Sequence, residues 1–220
     1  MYSVSDVLGN AKIVRVATER KAPYTPCFTA GSRIATDRGA VAVEELRVGD
    51  RVLTRDHGYR PIRWIGAREF SDQQLRDYPE LRPVIIAAGA LDGALPLADL
   101  SVSPQHRMLV RDDDALAGDR EILVPAIALT GQAGIGQAAE GGVIYYHLMF
   151  DAHEVICSEG AWSESFLPEA AALGGMHSAQ LAEILAIFPE LAAGKGLAAY
   201  GGAARLCADR DLAPGLARAA

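Results

Sequence analysis

The sequence predicts a mainly β domain of antiparallel strands with a helical tail, and three observations predict it. From Cys27 onward, short runs of β-branched and apolar residues recur and are cut by glycine-bearing turns. No helical periodicity separates those runs, which sets the pattern apart from a doubly wound parallel sheet. Beyond Pro168, alanine and leucine take over and the apolar spacing becomes that of a one-faced helix.

Taken in order, residues 1–26 hold one apolar alternation, Ile13, Val14 and Val16, and then a proline-bearing stretch ending at Pro26 that favours an extended connection. This segment reads as a leader arm. The tetrapeptides Thr36-Asp37-Arg38-Gly39 and Arg55-Asp56-His57-Gly58 supply glycine where a tight turn needs positive φ. Strand-like runs follow at 41–46, 49–54, 84–86, 100–102, 108–110 and 143–150. Val43-Glu44-Glu45-Leu46 ahead of Gly49 is echoed by residues 124–129 ahead of Gly131, as in two halves of a duplicated β unit. In the tail, Leu181, Ile184, Leu185 and Phe188 share one helical face, with Ser178 as the expected cap, and the stripe reads as packing on the β body. The expected division is a leader arm at 1–26, a β domain at 27–168 and a helical tail at 169–220.

Composition narrows the function. Half of the 220 residues are hydrophobic, enough for a sizeable core, and the formal charge is -7 with basic residues scattered singly. Nucleic acid and anionic membranes demand a concentrated basic face, so neither partner is expected, and the chain is expected to be a monomer. No run reaches the roughly 18 apolar residues that span a bilayer. The first residues lack the basic and apolar regions of a cleaved signal, so a cytoplasmic location or signal-independent export is expected. Cys27, Cys157 and Cys207 lie too far apart for a zinc ribbon and read as free thiols. The run Asp112-Asp113-Asp114 lacks the spaced loop of a calcium site and reads as a solvated hairpin tip; no metal or cofactor is expected.

Chemistry concentrates in two segments. Cys27 stands between Pro26 and a turn closed by Gly31, which lets the backbone ahead of the thiol be held close to it. An unperturbed thiol is only a few per cent thiolate at neutral pH yet strongly nucleophilic, so a nearby base suffices to use it. Downstream, a strand delivers Ser103 and, across a proline-directed turn, His106. An imidazole titrating near its ordinary value of about 6.5 can give a proton to a departing amide nitrogen.

Cys27-Phe28 through Gly31, Ile34, Thr36, Gly39, Glu45-Leu46, Gly49-Asp50, Val52-Leu53 and Ser103-Pro104-Gln105-His106 resemble the Hint domain of Hedgehog proteins and inteins, most closely its bacterial group. The resemblance continues through residues 146–155 and Ser163-Glu164-Ser165-Phe166, covering about 27–167. It implies a horseshoe-like all-β fold with pseudo-twofold halves and a single-turnover reaction on the chain itself. Cys27 would attack the Pro26 carbonyl to give a thioester, His106 would protonate the released nitrogen, and Ser103 would orient the scissile peptide. Water or another small nucleophile would then release the leader. His147 falls where the family commonly has an aspartate or another polar residue, and His153 at that motif's histidine; both are second-step candidates.

Splicing requires a terminal asparagine followed by Cys, Ser or Thr, and the segment after Val155 has none, so splicing is not expected. Nothing in 169–220 marks a lipid acceptor. The Pro26 ring restricts the residue that carries the scissile carbonyl, and the sequence leaves open whether it strains the bond or turns it away. Two alternatives stand beside cleavage: a non-catalytic Hint-fold interaction module with the Pro26–Cys27 bond intact, and a metal site using Cys27 and His106. Were Asp151-Ala152 a two-residue hairpin turn, His147 would oppose Ile156 and His153 would oppose Phe150, on opposite faces of the ribbon. Trp64 and Trp162 read as core anchors, His57 as a turn tip and His177 as a helix start.

Overall fold

The computed structural model describes residues 5–8, 11–15, 26–91, 94–112, 120–192, 198 and 200–208. Strands β1 (Ser5–Leu8) and β2 (Ala11–Arg15) precede the thiol. After it come β3 (Phe28–Thr29), β4 (Arg33–Thr36), β5 (Gly39–Ala42), β6 (Arg51–Thr54), β7 (Gly58–Pro61) and β8 (Trp64–Phe70). Helix α1 (Asp72–Asp77) leads to β9 (Val84–Ile86), β10 (Leu100–Val102), β11 (Arg107–Asp112) and β12 (Arg120–Pro125). The body closes with β13 (Ile135–Gln137), β14 (Val143–Met149), β15 (Val155–Ser158) and β16 (Ala161–Glu164). Helices α2 (Ala170–Gly174) and α3 (Ser178–Ile187) and strand β17 (Leu206–Cys207) form the tail.

Two sheets result. One runs β1-β2-β8-β14-β3-β10-β9-β13; the other runs β17-β12-β11-β16-β15-β4-β6-β7, with β5 on β4. Among the described residues, strands pair antiparallel except where β2 joins β8 and β17 joins β12. Their inner faces share a core that includes Phe28, Ile34, Val52, Leu100, Met108 and Tyr146. A second apolar cluster joins Trp64, Met149 and Phe166 to Ile184 and Phe188 of the tail. Among the described residues no helix is long and apolar enough to cross a membrane.

The glycine turns fold as expected. The echoed segments both become single 3-10 turns, Val43–Glu45 and Ala126–Leu129, and the glycine after each takes the left-handed conformation, φ 96° at Gly49 and 92° at Gly131. Other expectations change. His177, not Ser178, caps α3, because its Nδ1 accepts the Ala179 N–H at 3.3 Å and Ser178 becomes the first helical residue. The tail is not wholly helical, since β17 extends the second sheet. Asp151-Ala152 does not turn a hairpin: β14 and β15 belong to different sheets, and the chain crosses from one to the other there. Val16 and the connection up to Thr25 lie outside the described residues, as do the side chains of the acidic run at 112–114.

Candidate active site

Strand register assembles the site. In β3, Phe28 pairs with Tyr146 of β14 on one side and Val102 of β10 on the other. Antiparallel pairing continued by one residue sets Cys27 opposite His147 and opposite Ser103. His147 in turn pairs with Gly66 of β8. Directly opposed residues point to the same face of a sheet, so Gly66, His147, Cys27 and Ser103 form one row on one face.

The row is hydrogen-bonded along its length. The Cys27 N–H donates to Ser103 Oγ at 2.9 Å, and the Ser103 N–H donates to the Cys27 carbonyl at 2.9 Å. His147 Nδ1 lies 2.9 Å from the Pro26 carbonyl oxygen and its Nε2 lies 3.6 Å from Cys27 Sγ. A carbonyl oxygen only accepts, so the proton of the neutral ring is on Nδ1 and Nε2 presents a lone pair to the thiol. The Pro26 carbonyl oxygen thus faces the imidazole across the sheet.

Burial sets the resting charges. It pushes the Cys27 thiol well above its ordinary value, against the hydrogen bond from Ser103 and the positive Arg68. It also pushes His147 down to about 4, with the Pro26 hydrogen bond opposing and Arg68 adding to the shift. At neutral pH the pair is thus a thiol facing a neutral imidazole that can take its proton. A cavity of about 30 Å³ bordered by Cys27, Arg68, Ser103, Tyr145 and His147 adjoins the sulfur. That is about one water's share of liquid volume.

Two aromatic rings fix the imidazole. The Trp64 ring lies parallel to it, 8° between planes at 6.3 Å, and Phe166 tilts against it at 5.5 Å. Trp64 reaches this place by lying over Gly66, where an added methyl would fall 2.2 Å from the indole. Gly66→Ala is expected to expel the indole, lower stability by about 1–3 kcal/mol and red-shift tryptophan emission. A thermal melt and a fluorescence spectrum check both.

The remaining sequence candidates sit differently. His106 is buried, its ring edge-on to Phe28 at 4.5 Å, and neither ring nitrogen has a hydrogen-bond partner among the described residues. Phe28, one residue beyond the thiol, points to the opposite face of the sheet. Burial, opposed by Glu164 and aided by Arg107, pushes His106 down to about 4, so it does not titrate near the ordinary value that the sequence suggested. Its main-chain N–H donates to the Ser103 carbonyl at 3.0 Å and so shapes the turn that presents the hydroxyl.

His153 belongs to a different cluster. Its Nδ1 accepts the Ala204 N–H at 3.0 Å, which leaves Nε2–H facing Glu164 at 3.5 Å. Glu164, fully buried, also accepts the Arg107 main-chain N–H at 2.8 Å and its guanidinium at 3.0 Å. Burial alone would raise this carboxyl, but His153 and Arg107 hold it below its usual range. Among the described residues no three His, Cys, Asp or Glu side chains converge as metal ligands. Trp64 is a core anchor as expected, whereas Trp162 is only half-buried beneath the Arg55 guanidinium, 5.2 Å from its ring. His57, at its turn tip, pairs with Glu154 at 2.9 Å.

Sequence reasoning missed Arg68, Glu164 and the Trp64–Gly66 pair. The last had a signal: an aromatic and a glycine two apart in a strand share a face, the smaller leaving room for the larger.

The family model for the Hint domain matches residues 26–170. Among solved structures, the gp41-1 intein is 10% identical, covering 63% of this chain and 97% of its own, with a TM-score of 0.37. The bacterial intein-like domain from Clostridium thermocellum is 15% identical, covering 63% and 97%, with a TM-score of 0.37. A DnaB intein from Synechocystis sp. is 9% identical, covering 64% and 98%, with a TM-score of 0.36. No curated protein matches the chain.

Proposed function

The chain belongs to the Hint domain family, and on that premise we propose that it processes itself by attack of Cys27 on the carbonyl carbon of Pro26. One observation carries this reading: a single imidazole, His147, contacts both the sulfur, at 3.6 Å, and the carbonyl oxygen it would activate, at 2.9 Å.

The reaction starts with transfer of the thiol proton to His147 Nε2 as sulfur attacks, forming the C–S bond. Negative charge then collects on the Pro26 oxygen, where His147 Nδ1–H already donates and the newly formed imidazolium strengthens the bond. Collapse of the tetrahedral intermediate breaks the bond to the Cys27 nitrogen. That nitrogen takes up the proton first removed from sulfur, with the Ser103 hydroxyl, 2.9 Å away, as the relay. His106 is neutral in the resting state, with its ring against Phe28, and serves as donor only after taking up a proton. The thioester at Cys27 is then open to water or another small nucleophile, which frees residues 1–26. His153, held by Glu164 and Ala204, contributes to the later step through the cluster that orients it.

Exchange of an amide for a thioester is uphill, since amide resonance is lost, so the second nucleophile draws the reaction forward. The test is a mass measurement. Purified protein incubated with hydroxylamine is expected to lose residues 1–26 as the hydroxamate, and Cys27→Ala is expected to stay whole. A wild-type chain intact after prolonged incubation overturns the reading and leaves the non-catalytic module.

A further inference from the structure

We propose that the C-terminal helical segment is a built part of the active site, with Glu183 as a positioning residue that holds His147 through Trp64. This rests on the self-processing reading above and extends it beyond residue 170, where the match to the family ends.

Three hydrogen bonds tie the segment to one strand. Glu183 Oε2 accepts the Trp64 Nε1–H at 3.2 Å, the buried Gln180 Nε2 donates to the Ala67 carbonyl at 3.1 Å, and Arg68 Nη1 donates to the Gly175 carbonyl at 3.3 Å. All three fall on β8, and they flank Gly66, the residue paired with His147. Ile184 and Phe188 close the contact by packing in the same apolar cluster as Trp64. The indole therefore has one edge fixed by the helix while its face lies parallel to the imidazole. Without the carboxylate, packing alone would hold the ring. The distance that matters, 3.6 Å from Nε2 to sulfur, then loses its support from behind.

Glu183→Ala is expected to slow hydroxylamine-dependent release about tenfold to hundredfold, the range expected for a misplacement of about 1 Å. Glu183→Gln keeps an acceptor oxygen and is expected to restore most of the rate. The pH profile, normalised at each pH to the folded fraction seen by circular dichroism, adds a readout that general destabilisation does not move. A loosened His147 is better hydrated, its acid limb shifts upward from about 4, and the rate deficit of Glu183→Ala grows between pH 6 and 5. In a double-mutant cycle, Trp64→Phe removes the linking N–H, and Glu183→Ala is then expected to have no further effect. A folded Glu183→Ala protein with the wild-type rate and pH profile overturns the proposal, as does an undiminished effect in the Trp64→Phe background. If the wild type releases no leader, the self-processing reading fails. The positioning role is then still decided by NMR titration of His147, which must shift upward in Glu183→Ala and recover in Glu183→Gln.

Discussion

Replacing His147 by alanine is expected to slow leader release by about 10³-fold or more, because two contributions leave with one ring. A general base accounts for about 10²–10⁴ and a donor at a developing oxyanion for about 10²–10³, and the two are not additive when a single group supplies both. His147→Asn separates them, since the amide can donate to the Pro26 carbonyl but cannot take the thiol proton. It is expected to recover part of the rate and never the whole. Single-turnover release in hydroxylamine, followed by mass and paired with circular dichroism to confirm folding, makes the measurement. An alanine variant that folds and cleaves at the wild-type rate removes His147 from the mechanism. In the wild type, the rate is expected to hold steady down to about pH 5 and to fall as Nε2 protonates through about 4.

An imidazole gives this position a capacity that a carboxylate would lack. A carboxylate can take a proton but, once ionised, offers none to a carbonyl; the neutral imidazole does both through opposite nitrogens. It also suits burial better, because a neutral ring avoids the desolvation of an ionised acid. The geometry requires the Nδ1–H tautomer, and the Pro26 oxygen selects it. On the proposed mechanism, the peptide to be broken thus selects the tautomer of the base that begins its cleavage.

What the sequence could reveal followed from how local each signal is. Turn glycines announce themselves through backbone sterics, so the alternation of Gly39, Gly49 and Gly58 with short strands was readable one turn at a time. Cys27 and Ser103, which the sheet brings together, could be singled out for a similar reason, each lying beside a proline- or glycine-marked turn. The placement of His147 beside the thiol was not legible in this way, because it depends on pairing between residues 27 and 147, which only the completed sheet fixes. A local turn rule applied to Asp151-Ala152 then misled, since the favourable alternative was a crossover that buries β14 and β15 in separate sheets. The state of His106 was illegible for a different reason. Its burial comes from packing against Phe28, and no feature of the SPQH segment shows how much water that packing removes.

Acid is expected to strip several kcal/mol of stability from this fold well before its surface carboxylates titrate, and the two buried imidazoles supply the reason. His106 and His147 each fall from an ordinary 6.5 to about 4 on folding. Between those values the unfolded chain binds protons that the folded chain refuses, so stability rises with pH across the window and is lost as pH falls through it. Each shift corresponds to on the order of 3 kcal/mol at full extent. The loss should begin near pH 6.5 and level off for these groups below about 4. Glu164, whose folded value is depressed, contributes stability above its unfolded value of 4.5 that is lost as pH falls through the lower folded one, so it extends the decline further into acid. Urea unfolding at pH 7, 6, 5 and 4 reads the slope. His106→Phe isolates one half of it: an apolar ring replaces an imidazole whose nitrogens have no partner among the described residues, so its folded state should lose little. Its stability should depend on pH about one proton less steeply between 6.5 and 4. An unchanged slope would mean that water reaches the imidazole and that the packing against Phe28 does not exclude it.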